Sequence, residues 1–353
     1  MAVASTKTVR RRRAALRWWR ILLILAIVLI ALAFLLGLWF IKEKLDKVRY
    51  NDGGLLTAVE GEIRSIWDRE EPLDLTGLEE TEDVAVADGE IYKDKNVLNI
   101  LLLGTDRPYG PEDPGRADSI MILSLDFKNS AASLVSVERG MGAPILSGPY
   151  EGQWDWITHL YHYGGANMVM DSVSWCFKLD VSRYAQVDFD AFTAVVDALG
   201  GVDIELTESE AYAMKTLMKL DQELHAGVNH LDGRSALALA RTRKIDSDWV
   251  RVTRQRNVIQ ALLHKLRDAD LATLNQAADA VLPYVETNFT QLELLSLLTR
   301  CSGFLGADLR QMTVPAEGTY GGMTVMGGRG AFAPDFERNT RILREFLYGT
   351  AGE

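Results

Sequence analysis

Asp106, Arg107, Arg116 and Asp118 sit together in one connection, inside "NILLLGTDRPYGPEDPGRADSIMILSLD", residues 99–126. The apolar runs on either side are what core strands need, but nothing in folding asks the connection to carry acids and arginines together. Asp106 falls just beyond the C-terminal end of the first run, where open α/β sheets build ligand sites. Asp118 falls just before the second run, so the connection can fold back and bring the carboxylates together. Hard oxygens on short strand ends suit Mg2+, which takes one or two carboxylates and completes its shell with substrate phosphate. The competing reading is turn capping beside Gly104, Pro108, Pro111, Pro114 and Gly115.

A second cluster lies in "ALALARTRKIDSDWVRVTRQRNVIQALLHKL", residues 236–266, where Arg241, Arg243, Lys244, Arg251, Arg254 and Arg256 crowd into sixteen positions. Arg251, Arg254 and Gln255 stand at i, i+3 and i+4 and so share one face of a helix's first turn. Backbone N–H groups also point at anions there. Guanidinium forks bind phosphate oxygens in pairs and stay charged. A solvated basic face or surface salt bridges would explain the cluster equally, at little energy. Arg241 and Arg243 alternate after an apolar helix, which fits a single solvated stripe poorly.

These residues need a scaffold. Strand-like runs begin at Val97 with "VLNILLLG", "SIMILSLD" and "AASLVSVE", and recur at about 183–188, 202–206, 309–314 and 322–326. Apolar spacings of three and four predict helices at about 165–178, 190–199, 208–219, 233–241, 251–267, 270–282, 290–301 and 335–348. Interleaved strands and helices argue for an α/β layered domain with helices on both sheet faces, spanning 96–350.

Upstream, Ile21 to Ile41 carries no charged residue and is long enough to span a bilayer. A tail at 1–20 precedes it with Lys7, Arg10, Arg11, Arg12, Arg13, Arg17 and Arg20, which places the N-terminus in the cytoplasm. The stretch "GLWFIKEKL" offers no small-residue cleavage site, so an uncleaved anchor is expected rather than a signal peptide. Residues 42–95 read as a juxtamembrane spacer, acidic and carrying Pro and Gly. Those seven cations are part of 38 Lys and Arg, so 31 remain against 49 acids beyond the anchor, about −18 by count. Such a surface excludes general nucleic-acid binding. Cys176 and Cys301 lie in the external part, where pairing is permitted but not required.

Both clusters together give the chain a resemblance to the LytR-CpsA-Psr family of cell-wall glycopolymer ligases. It rests on the order of "LLLGTD", "GRADSIMILSLD", "SVERG", "YHYGGANM", "VDFDAFTAVVDALGGVDIEL", "AGVNHLDGRSALALARTRK" and "DSDWVRVTRQRNVIQALL", from Val97 to Leu266. The resemblance implies a central mixed sheet flanked by helices, held outside the cell membrane by the N-terminal anchor. It implies Mg2+-dependent transfer of a phosphoryl-linked glycopolymer, such as teichoic acid or capsule, from undecaprenyl pyrophosphate to peptidoglycan. By position, Asp106 and Asp118 match the metal acids, and Arg116 and Arg139 match arginines facing the pyrophosphate, with Arg139 catalytic. Arg241, Arg243, Arg251, Arg254 and Gln255 match further phosphate-side groups, and Asp248 an acid that could serve as base. An apolar tunnel for the lipid is expected between the sheet and the helices at 190–199 and 251–267.

Two departures bear on acceptor binding and turnover. Gly140 follows Arg139 where the family usually has Asp, and Trp156, Ile157 and Thr158 stand where Lys-Ile-Asn is common. Trp154 and Trp156 can stack on sugars or fill the core. Two alternatives therefore stay open beside ligation, a lipid-pyrophosphate phosphatase and a non-catalytic binder of lipid-linked glycans. His159 and His162 have one-face spacing but no third ligand for zinc, and "GTYGGMTVMGGRG" at 318–330 lacks the Gly-Lys-Ser/Thr ending of a P-loop.

Overall fold

The computed structural model describes residues 40–51, 73, 75–81, 84, 89–106, 115–216, 220, 222–242, 248–300, 304 and 309–349, without the side chains of 248, 249, 251, 252, 271 and 298. Two units result, Met1–Lys47 and Val48–Glu353. The first is described only at 40–47, of which 40–45 are helical. No helix of the described residues is long and apolar enough to cross a membrane. The expected anchor lies outside the described residues except for its last two.

In the second unit, β1 (Arg49–Tyr50), β2 (Val97–Thr105), β3 (Ala117–Asp126), β4 (Ala131–Val137), β7 (Val181–Asp188), β10 (Glu286–Thr287) and β11 (Leu309–Val314) form one sheet of seven strands. Its order is β1-β10-β7-β2-β3-β4-β11. The pairs β7–β2, β4–β11 and β1–β10 are parallel and the rest antiparallel, so the sheet is mixed. Three small hairpin pairs stand beside it: β5 (Gly142–Pro144) with β6 (Trp154–Trp156), β8 (Val202–Leu206) with β9 (Gly227–Leu231), and β12 (Tyr320–Val325) with β13 (Arg329–Pro334).

Helices cover both faces. Against one face lie α1 (Ile157–Phe177) and α8 (Phe336–Tyr348), in a core that joins Leu101, Ile122 and Val135 of the sheet to Val169, Val173, Phe177 and Phe336. On the other face, α7 (Gln291–Arg300) packs Leu294 and Leu297 against a cluster holding Ile100 and Leu125. This odd-even division between Leu101 and Ile100 is the two-residue period of a strand buried on both sides. Beyond it, α2 (Phe189–Ala198), α3 (Glu208–Thr216), α4 (Gly233–Arg241) and α5 (Asp248–Asp268) gather around Val196, Ile204, Leu239 and Val258. A further helix, α6 (Leu271–Val281), follows. Aspartates start four of these helices, with Asp188, Asp232, Asp270 and Asp335 each accepting a backbone N–H three residues on.

One expectation changes. The helix foreseen at 165–178 begins at Ile157, because Gly164 and Gly165 kink it with non-helical angles instead of ending it. Part of the segment expected as spacer, at Arg49–Tyr50 and at Glu80–Thr81, pairs with strands of the second unit. Backbone N–H groups of Arg49 and Asn51 donate to Val285 O and Thr287 O at 2.9 Å, so this part of the expected spacer is an edge strand. Thr81 N–H likewise donates to Gly322 O at 2.7 Å.

Candidate active site

Asp106 follows the last residue of β2. Across the pair, Gly104 faces Ser119 and Thr105 faces Ala117. Asp118 is therefore the extra residue of a β-bulge, a device that takes one side chain out of the ladder and re-aims it. The connection returns through Gly115, whose φ of +81° favours glycine and whose Cβ, if present, would stand 2.7 Å from Asp106 Oδ1.

That close return makes the first contact of the site. Arg116 donates its backbone N–H to Asp106 Oδ1 at 2.5 Å, and its guanidinium donates to Oδ2 from Nε at 3.2 Å and Nη2 at 2.7 Å. Both residues are buried. Burial pushes the Asp106 carboxyl above its ordinary pKa; hydrogen bonds and charge from Arg116 oppose the shift, and the Asp118 charge adds to it.

Arg139, two residues past β4 and equally buried, places Nη1 at 3.8 Å from Asp118 Oδ1. That is an ion-pair separation, too long for a hydrogen bond. Thr158, at the start of α1, donates its N–H to Arg139 O at 3.3 Å and its hydroxyl to Ala117 O at 2.8 Å. One residue thereby ties the backbone beside Asp118 to the backbone of Arg139. Gly140 sits against Leu73, whose Cδ1 would lie 2.4 Å from an added Cβ. The space an acid would need at this position is occupied by an apolar side chain.

Beside these groups a cavity of about 960 Å3 runs between the sheet and α2, α4 and α5. Arg116, Asp118, Arg241 and Gln255 stand in its wall with Leu102, Met121, Phe192, Val195, Val258, Leu262 and Leu266. From Gln255 to Leu266 the helix rises about 16 Å at 1.5 Å per residue, so the cavity is a long slot with its charged groups toward one end. Arg241 lies with its guanidinium carbon 4.7 Å from the Phe189 ring centroid. Gln255 Nε2 donates to Ala240 O at 3.5 Å.

Arg254 is placed otherwise than expected. It is buried, donating Nε–H to Glu210 Oε1 at 2.7 Å and Nη1–H to Thr242 O at 2.8 Å, and it is not among the cavity-lining residues. Neighbouring helix positions point about 100° apart, so Arg254 and Gln255 cannot serve the same wall. Arg243 lies outside the described residues, as do the side chains of Asp248 and Arg251. Cys301 lies outside them too, while Cys176 is buried and its thiol pKa is pushed up by that burial.

Sequence reasoning missed a second polar cluster beside Arg139. Asp155 accepts the Tyr163 hydroxyl at 2.6 Å and pairs with Arg329, and His159 Nδ1 lies 3.2 Å from Asp155 Oδ1 and 3.1 Å from Arg329 Nη1. His159 stacks on Trp156, rings 5.3 Å apart and 11° from parallel. Neither histidine belongs to a metal cluster among the described residues. Trp156 is 1% exposed and fills the core, whereas Trp154 stays half-buried. The spacing of Asp155, His159 and Tyr163 along a helix was the readable signal; Arg329, more than 160 residues on, gave none.

Comparison with known proteins decides the lineage. Residues 71–341 match the model of the LytR_cpsA_psr family. The chain belongs to this family. It is 32% identical over 230 residues to the polyisoprenyl-teichoic acid–peptidoglycan teichoic acid transferase TagU of Bacillus mycoides, covering 63% of this chain and 69% of that one. With the transferase TagV of Bacillus subtilis it shares 28% over 258 residues, 72% of this chain and 65% of the relative. The chain thus spans about two thirds of the length of the curated relatives it matches. A crystal structure of B. subtilis TagV shares its fold with a TM-score of 0.57 and 26% identity, over 72% of this chain and 98% of that one. In this family member, the resemblance seen from Val97 to Leu266 extends to residue 341.

Proposed function

We propose that the chain is a phosphotransferase that moves a phosphoryl-linked glycopolymer, of the teichoic acid class, from polyprenyl pyrophosphate to peptidoglycan. The observation that carries the reading is the long apolar slot ending at Arg116, Asp118, Arg241 and Gln255. A ligand with an extended hydrocarbon tail and a multiply charged head fits such a wall, because apolar burial holds the tail and guanidinium forks hold the head. Relatives carrying about a third of the same residues are named as teichoic acid transferases.

The chemistry follows from the groups present. Phosphoryl transfer asks a protein chiefly for alignment and charge stabilisation. The acceptor hydroxyl oxygen attacks the phosphorus that carries the glycopolymer, the bond from that phosphorus to the bridging oxygen breaks, and polyprenyl monophosphate leaves. Arg116 and Arg241 hold the pyrophosphate, and Arg139, already facing Asp118, stabilises the charge that grows on the transferred phosphoryl group. The acceptor proton goes to Asp248 or to one of the two metal acids.

Mg2+ fits Asp106 and Asp118. Burial and the neighbouring Asp118 charge push the Asp106 carboxyl up, a local excess of negative charge that a cation would relieve, and one or two acids are the usual protein share of a Mg2+ shell. When bound, the ion would neutralise charge on the pyrophosphate. In the full chain the anchor at Ile21–Ile41 would keep the reaction at the outer face of the cell membrane.

The test supplies the protein with a short polyprenyl-pyrophosphate glycan and peptidoglycan oligomers and follows products. A glycan–peptidoglycan conjugate with polyprenyl monophosphate supports ligation. Monophosphate without conjugate would point to a phosphatase, and neither product to a binder.

A further inference from the structure

Arg139 does not stand alone in its wall. Its guanidinium carbon is 5.9 Å from the centroid of the Trp156 ring, and that of Arg329 is 5.0 Å from the same centroid. Trp156 is fixed on its edge by donating Nε1–H to Gly330 O at 2.8 Å and on its face by His159. His159 Nδ1 lies beside both Asp155 Oδ1 and Arg329 Nη1 and hydrogen-bonds to one or the other according to its tautomer, while Arg329 also donates Nε–H to Met326 O at 3.3 Å. The two backbones are joined as well, since Phe332 N–H donates to Gly140 O at 3.0 Å.

We propose that Arg329, acting through Asp155 and His159, is a positioning residue that holds Trp156 against Arg139 and so fixes the angle at which Arg139 meets the transferred phosphoryl group. The inference rests on the catalytic reading of Arg139 given above. Three physical arguments support it. Asp155 is wholly buried, and a buried carboxylate is retained at a cost that well-packed apolar residues would avoid, so its presence calls for a reason beyond stability. Arg329 engages the carboxylate, the imidazole and the indole together, which suits a planar fork and not a point charge. Finally, the chain ends at a guanidinium whose usefulness depends on aim, because preorganised charge acts in proportion to how little it must reorganise.

The experiment uses the full-length protein in nanodiscs, with Arg329→Gln, Arg329→Lys and Trp156→Phe. Two readouts are taken, steady-state transfer with separate kcat and donor KM, and the 15Nε–1Hε resonance of Arg139, identified by its loss in Arg139→Lys. We expect Arg329→Gln and Trp156→Phe to lower kcat at least about tenfold, the scale on which small misplacements act. Donor KM should stay within about twofold, since the groups that grip the donor are untouched. Arg329→Lys restores charge but no fork and should recover part of kcat. The Arg139 resonance should shift or broaden in all three. If Arg329→Gln fails to fold, Trp156→Phe, which keeps an aromatic ring in the core, carries the test alone. Unchanged kcat in folded variants, or kcat and KM falling together with an unshifted resonance, would overturn the proposal. A wild type without transfer would overturn the proposed function instead, and the resonance would still decide the positioning role.

Discussion

Arg139 and Asp118, 3.8 Å apart at Nη1 and Oδ1 and both buried, lie just past Val137 and just before Ile120, and the antiparallel β3–β4 register that pairs those two residues carries on to set Asp118 opposite Arg139. A regular ladder would keep Asp118 within the β2–β3 register. The β3–β4 register brings an acid of the proposed metal pair to the proposed catalytic cation, so the two halves of the site share one electrostatic unit.

Two of the arginines expected among the phosphate-side groups should behave differently. Arg241 is exposed at the cavity, so Arg241→Ala should leave thermal stability within about 0.5 kcal/mol. Donor affinity should fall about tenfold, the loss of one charge-assisted hydrogen bond. Arg254→Met should destabilise the fold by about 1–3 kcal/mol, because it removes the guanidinium from half-buried Glu210 and a donor from Thr242 O. Denaturant unfolding and lipid binding on both variants separate the two roles.

The slot can be tested by filling it. Val195→Trp places an indole inside the wall between α2 and the sheet. Long polyprenyl donors should lose affinity by about 0.8 kcal/mol for each methylene excluded, while donors with tails of one or two isoprene units should bind as before. Equal loss for both lengths would place the tail elsewhere.

Asp155 gives the fold a defined acid sensitivity. Burial raises its pKa, but His159, Arg329 and the Tyr163 hydroxyl outweigh that and bring it below the ordinary carboxyl range. A carboxyl depressed in the folded state contributes stability that is present above its unfolded pKa and lost as pH falls through the folded one. Acid titration followed by near-ultraviolet circular dichroism should therefore show the tryptophan signal failing below about pH 4, the ordinary carboxyl range. Asp155→Asn should lower stability at neutral pH and flatten that dependence.

Much of this was legible in residue order. Asp106 and Asp118 were readable because strand patterns fix where a chain leaves a sheet, and Leu101 beside Ile100 shows a strand buried on both faces. The helices at 233–241 and 336–348 carried aspartate caps and clear apolar spacing. Two things were hidden for physical reasons. Gly164 and Gly165 looked like a terminus, since local propensity does not say that packing against the sheet will carry a helix through a kink. Arg329 pairs with Asp155 across more than 170 positions, and no local pattern encodes a partner brought in by tertiary folding. The Glu210 partner of Arg254 could not be read locally, because it lies 44 residues away.

The central claim is that Asp106, Asp118 and Arg139 run a metal-assisted phosphoryl transfer at the end of a lipid slot. Its most direct test is phosphorus-resolved product analysis of the full-length protein in nanodiscs with a polyprenyl-pyrophosphate glycan and peptidoglycan oligomers, with Mg2+ or chelator, beside Arg139→Ala. The account predicts conjugate and polyprenyl monophosphate in equal amounts, lost on chelation and reduced at least about a hundredfold in the variant. Donor binding without either product in the presence of Mg2+, or conjugate formed equally well by Arg139→Ala, would contradict it.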